Sequence, residues 1–155
     1  MVTFATLCYL HSRNRVLLLR KAPGLFGEGR WNAPGGKLLP GELPERGAVR
    51  EMFEETGLAV SNLRFHGLLN FFLGTVRRLD QVVFIFSSKK FVGNLQEGRE
   101  GELQWFPVEK IPYAEMWEDD HTWLPLLLEG KSFVGDFHFS GNYDAVVDQS
   151  VRLLG

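Results

Sequence analysis

The chain has 155 residues, 45% of them apolar, and its 13 phenylalanines and 4 tryptophans can fill one core without staples. A formal net charge of -2 offers no basic excess for a nucleic-acid backbone or an anionic membrane surface, which argues against a nucleic-acid polymer or a membrane as partner. The single cysteine, Cys8, excludes an internal disulfide and suits a reducing compartment such as the cytoplasm. Met1-Val2-Thr3 lacks the basic start of an export signal, and no stretch approaches the ~20 apolar residues of a membrane helix.

Val2 to Leu10 and Arg15 to Arg20 read as two strands joined by the polar turn Ser12-Arg13-Asn14. Ala22 to Trp31, with Gly24, Gly27 and Gly29, reads as loop. Pro34 should interrupt any ladder near Asn32-Ala33-Pro34-Gly35-Gly36, and the glycine pair permits close backbone approach. Pro44 to Thr56 is a predicted helix, with proline at its start and Gly57 as its C-cap. Val49 and Phe53, four apart, are expected to share its buried face. Leu63 to Leu73 and Gln81 to Ser87 are predicted strands around a hairpin loop, Gly74 to Asp80. Phe91 to Glu102 reads as loop, Leu103 to Phe106 as a short strand, and Val108 to Ala114 as a short helix. Thr122 to Leu128 is the second main helix. Ser132 to Ser140 alternates apolar and polar residues, and Asp144 to Leu153 closes the chain as a last strand. Dominant strands with two main helices make the fold α+β, one domain over residues 1–155, with helices packed on a mixed sheet.

Chemistry concentrates between Gly35 and Leu58. At 100° per residue, Glu51, Glu54 and Glu55 fall within an arc of roughly 100° on the predicted helix. Like charges three and four apart repel, and Arg50 is the nearest basic residue, expected to brace Glu51 or Glu54. A solvated acidic face is one reading. The preceding loop favours another: Glu42 adds a fourth acid, and Gly35, Gly36 and Gly41 let backbone approach a ligand. Hard oxygen donors in such a cluster suit Mg2+, or Mn2+, bridging to substrate phosphates. Lys37 either touches a phosphate or is solvated.

Gly36, five residues, Glu42, seven residues, then Arg50-Glu51-Met52-Phe53-Glu54-Glu55-Thr56-Gly57-Leu58 resembles the complete signature of the Nudix family. That resemblance implies an α/β/α sandwich and Mg2+-dependent hydrolysis of a nucleoside diphosphate linked to another group. It implies that Glu51, Glu54 and Glu55 hold the metal, with Gly35 and Glu100 contributing, and that Arg50 orients a glutamate. Further stretches, Gly27-Glu28-Gly29-Arg30-Trp31-Asn32, Met116-Trp117-Glu118-Asp119-Asp120 and Trp123 to Leu128, are similar to the MutT-like members of the family. These imply an oxidised purine nucleoside triphosphate as the small-molecule substrate, 8-oxo-dGTP or 2-hydroxy-dATP, and a monomeric enzyme. Asn32, Trp117, Asp119 and Asp120 would hold the base, and Thr6, Lys21, Phe71 and Phe139 match pocket-lining positions.

The residue types suit that task. Trp117 offers a flat apolar face, Asn32 a donor and an acceptor, and adjacent Asp119 and Asp120 can keep one proton between them. Either aspartate could instead cap the following helix. Trp31, Trp105 and Trp123 are expected in the core, and His11, His66, His121 and His138 show no metal spacing. Three points stay open: Leu25 or Phe26 against the pocket, Glu100 or Glu102 as the further carboxylate, and which glutamate is the base. Other family substrates, such as ADP-ribose, a dinucleoside polyphosphate or a methylated purine nucleotide, compete with the oxidised purine, as does a nucleotide-binding module without catalysis.

Overall fold

The strand expected near the N-terminus is β1 (Thr3–Ser12), which occupies the middle of the molecule. The structure is a computed structural model describing residues 1–155. Tyr9 points into one apolar cluster and its neighbours Cys8 and Leu10 into another. β2 (Arg15–Lys21) repeats the pattern, with Val16 and Leu18 on the first side and Leu17 on the second. Both strands are therefore buried on both faces, which explains their near-continuous apolar runs.

The remaining elements are β3 (Trp31–Asn32), β4 (Gly35–Lys37), α1 (Pro44–Thr56), β5 (Ala59–Ser61), β6 (Arg64–Leu73), β7 (Arg78–Ser88), β8 (Lys90–Val92), β9 (Gly101–Pro107), α2 (Asp120–Leu128), β10 (Ser132–Ser140) and β11 (Ala145–Leu154). The main path runs β11-β10-β6-β7-β1-β2-β3, with β4 added to β1 and β9 to β2, while β5 and β8 pair separately. β1 lies parallel to β7 and β10 parallel to β6, whereas β6–β7 and β10–β11 are antiparallel, so the sheet is mixed. α1 covers one face through Ala48 and Met52, and α2 the other through Trp123, Leu124 and Leu127. The α+β expectation, with helices on a mixed sheet, describes this arrangement.

Several expectations change in detail. On α1 the buried residues are Gly47, Ala48, Met52, Glu55 and Thr56, while Phe53 is 60% exposed. The buried stripe therefore lies beside the carboxylate arc rather than opposite it, and it carries Glu55 inward. Gly57 does cap the helix, at φ 78°, donating its N–H to Phe53 O at 2.9 Å. The predicted helix over Val108 to Ala114 is two 3-10 turns, Val108–Lys110 and Tyr113–Glu115. The loop Phe91 to Glu102 yields residues to β8 at one end and β9 at the other. β3, β4, β5 and β8 have only two or three residues each, too few to show a period. Cys8 is fully buried, and burial pushes its thiol up to about 12, so it is an inert core group.

Gly35 is a position where the fold itself demands glycine. A Cβ there would stand 2.0 Å from Thr6 O, because β4 lies directly on β1 with Thr6 opposite Gly36. Gly35→Ala is expected to lower stability by about 1–3 kcal/mol. A thermal melt of the variant checks this; an unchanged midpoint would show that β4 can shift without penalty.

Candidate active site

The sheet splits around the site. β1 and β2 share only two rungs, His11 with Val16 and Ser12 with Arg15. Beyond them β1 takes β4 as its neighbour and β2 takes β3, while β9 runs along the other edge of β2. Between the diverging strands lies a cavity of about 910 Å³. Thr6, Lys21, Asn32, Gly35, Gly36, Glu51, Glu55, Phe71, Glu100, Trp117, Asp119, Asp120 and Phe139 all line it. Glu54 and Arg50 do not reach its wall.

One group of lining residues is acidic. Glu55 is only 5% exposed, and its Oε1 accepts the Gly35 N–H at 2.7 Å. Burial raises its carboxyl to about 7; the Gly35 N–H and the Lys21 charge oppose that rise, while Glu51 and Glu100 add to it. The Glu51 carboxylate lies against Gly36, where a Cβ would come within 2.9 Å of it. Glu51 Oε1 accepts from Arg50 Nη1 at 2.8 Å, and the same nitrogen reaches Glu54 Oε2 at 3.1 Å. Arg50 also grips Glu42 with two nitrogens, at 2.8 and 2.9 Å, and these bonds hold Glu42 down at about 2. The expected brace on one carboxylate is thus a clamp on three, Glu42, Glu51 and Glu54. It draws Glu54 to the outer side of the helix, where its side chain is 57% exposed.

No three His, Cys, Asp or Glu side chains converge as a ready-made ligand set. The donor chemistry nonetheless fits a hard divalent cation. Glu51 and Glu55 each commit Oε1 to the protein and leave Oε2 without a protein donor. A buried carboxyl held near 7 by desolvation is also a group that a cation would allow to ionise. Glu100 lines the cavity and bonds Lys21 Nζ at 2.8 Å. Glu102 does not line it and faces Arg20 at 3.6 Å, so the structure separates the two candidates.

The second group is aromatic with two buried acids. Asp119 and Asp120 are each 2% exposed. Asp119 Oδ2 accepts the Trp123 indole N–H at 2.7 Å. Burial lifts Asp119 to about 6, against that hydrogen bond. Burial, then the Asp119 charge, lifts Asp120 well above the usual carboxylate range, and Asp120 Oδ2 has no partner. Neither carboxylate caps α2, since its N-terminus has no side-chain cap bond. Thr6 Oγ1 is likewise buried and unpartnered. Asn32 Oδ1 accepts from Ala33 N at 2.9 Å and from Tyr9 OH at 3.5 Å. These bonds orient the Asn32 amide, leaving its NH2 without a protein acceptor. A cavity carrying unsatisfied buried polar atoms in this way is built for a polar, planar guest.

Trp117 is already dressed by protein. Phe26 stacks on it at 5.2 Å, and the Arg30 guanidinium lies 4.3 Å from its ring centre. Both Leu25 and Phe26 line the cavity. Trp31 and Trp123 are core residues as expected, although Trp123 also touches the site through Asp119. His66 is buried between Ser87 Oγ at 2.6 Å and Lys131 O at 2.8 Å, a packing role. Sequence reasoning missed Arg30, Asp80, Gln81 and Tyr143 at the wall. Only the abundance of aromatic residues hinted at Tyr143, since it sits in a turn with no periodic signal.

A mixed sheet split around an acidic cavity, with a glycine strand and a glutamate helix at its edge, points to a class. The model of the NUDIX domain matches residues 1–127, and the chain belongs to the Nudix family. Within that family, a Mus musculus protein named oxidized purine nucleoside triphosphate hydrolase is 43% identical, covering 95% of this chain and 92% of its own. A Danio rerio protein of the same name is 42% identical, covering 94% and 92%. Among solved structures, a MutT protein from Bacillus halodurans superposes with a TM-score of 0.86 at 25% identity, covering 96% of this chain and 97% of that one.

Proposed function

We propose that the chain hydrolyses oxidised purine nucleoside triphosphates, 8-oxo-dGTP first and 2-hydroxy-dATP second, to the monophosphate and pyrophosphate, removing mutagenic nucleotides from the pool. The observation that carries this reading is one cavity lined by both groups: the open carboxylate oxygens of Glu51 and Glu55, and the buried pair Asp119 and Asp120. Two relatives that match nearly end to end bear the name of that activity.

Glu51, Glu55 and Glu100, with the Gly35 backbone, would hold Mg2+, and Glu54 would join them only by leaving its place outside the cavity. Bound there, the cation neutralises phosphate charge and lowers the pKa of water. The protein's own groups do the rest. Arg50 fixes Glu51 and Glu54 through one nitrogen. Lys21, at the cavity wall beside Glu100, supplies a positive charge toward the phosphates. Water attacks a phosphorus of the triphosphate and its proton passes to a carboxylate of that wall, Glu55 or Glu100. At the base, Asn32 presents its free NH2, and the protonated member of the aspartate pair donates while the other accepts. Exchange of that proton reads either oxidised purine. We place the enzyme in a reducing compartment, the cytoplasm, on its single thiol, and read it as a monomer; no helix is long and apolar enough to cross a membrane.

Product analysis tests the reaction class. Triphosphates, ADP-ribose and a dinucleoside polyphosphate are incubated with Mg2+, with Glu54→Gln as control. The expected result is pyrophosphate and monophosphate from the purine triphosphates alone. Orthophosphate release, or faster cleavage of ADP-ribose, would overturn the proposal.

A further inference from the structure

Tyr143 stands in the turn between β10 and β11, beyond the residues matched by the family model. Its φ is 65°, a left-handed value uncommon for a bulky side chain. Such strain persists where the surroundings over-determine it, and it clusters at functional sites. Here the surroundings are explicit. The phenol donates to Asp80 Oδ2 at 2.6 Å and accepts from Gln81 Nε2 at 2.9 Å, two bonds that tie the turn to β7. Burial and the bonded Asp80 carboxylate raise the phenol well above its ordinary value, so it stays neutral. The ring is 7% exposed in all and still lines the cavity. It packs 5.0 Å from Phe139, 5.9 Å from Phe26, 6.0 Å from Trp117 and 6.1 Å from Phe71. Tyr143 is therefore the one residue that packs against these four rings together, and it is anchored from behind. Its hydroxyl faces β7, so what it offers a guest is a rigid ring surface.

We infer that Tyr143 is a specificity-determining residue, a fixed wall that sets the largest purine the cavity admits and rejects bases enlarged by an aryl substituent. This rests on the purine-nucleotide reading above. A wall made by one anchored ring can be removed without touching the acids, and glycine or asparagine tolerates the turn's φ.

The test measures kcat and KM for 8-oxo-dGTP and for N6-benzyl-dATP in wild type, Tyr143→Gly, Tyr143→Asn and Tyr143→Phe, with a thermal melt of each. The expected result is that the Gly and Asn variants raise kcat/KM for the benzyl nucleotide at least about tenfold, through KM, the scale of an apolar pocket boundary. KM for 8-oxo-dGTP should rise as its wall is lost, so that the preference between the two nucleotides shifts toward the benzyl one, and Tyr143→Phe should discriminate as wild type does. Folded Gly and Asn variants that still exclude the benzyl nucleotide would overturn the inference. So would an equal loss of activity on both substrates, the mark of a merely structural role. A wild type that turns over no purine triphosphate would instead overturn the functional reading on which the inference rests.

Discussion

Replacing Glu55 by glutamine should lower kcat for pyrophosphate release by about 10²–10⁴-fold, the range for loss of a positioned acid–base group. Glu55 is the one carboxylate of the helix that is both buried and at the cavity wall. The same substitution should stabilise the metal-free protein. The carboxyl sits at about 7 in the fold, against 4.5 for its ordinary value. Between those values the folded state binds more protons than the unfolded chain, so stability falls as pH rises through the window. Above about pH 7 the penalty is fully present and amounts to about 3 kcal/mol. His11 and His66, both lowered by burial, run the other way below 6.5, which is why the comparison must be with the variant. Glu42, held at about 2, changes stability only below 4.5, outside this window. Metal-free Glu55→Gln should therefore melt above wild type at pH 8, with the gap closing toward pH 5. A constant gap would mean that Glu55 is not a desolvated acid. Mg2+ should raise the wild-type midpoint more at pH 8 than at pH 6, since protons compete for the same oxygens.

Asp120→Asn should have the second largest effect, and again with opposite signs. Activity on 8-oxo-dGTP should fall about 10–100-fold in kcat/KM, the value of a buried hydrogen bond to a charged or proton-sharing partner. Stability should rise by about 1 kcal/mol or more, because two adjacent buried carboxyls no longer share one apolar site. Its Oδ2 has no protein partner to lose. A variant that gains stability while losing the oxidised substrate would place Asp120 in recognition. Unchanged kinetics on 8-oxo-dGTP and 2-hydroxy-dATP would remove it from that role.

Much of this was legible from residue order, for identifiable reasons. Ser132 to Ser140 declares a strand because its apolar positions alternate over a full nine residues, and it is one. Pro44 and Gly57 bracket α1 because each carries a backbone constraint that only a helix end satisfies. Thirteen candidate residues line one cavity, and most of them were named by the resemblance to a family rather than by any period in the sequence. What was not legible depended on tertiary context. Phe53 is apolar yet exposed, because α1 turns Ala48 and Met52 to the sheet and brings Glu55 in with them. Arg50 holds Glu42 from eight residues away, a contact made by the loop and helix together. The split between β1 and β2, which creates the cavity, comes from β3 and β4, strands too short to have a period. Tyr143 needed a φ value and four ring distances before it could be seen as part of the site.

The central claim is that one cavity joins a hydrolytic wall to a reader of oxidised bases. The most direct test is the ratio of kcat/KM for 8-oxo-dGTP to that for dGTP in wild-type protein, with Mg2+ at pH 7. A preference of at least about tenfold for 8-oxo-dGTP is predicted, the scale of one well-placed hydrogen bond from a buried acid or amide. Equal turnover of the two nucleotides would contradict the account.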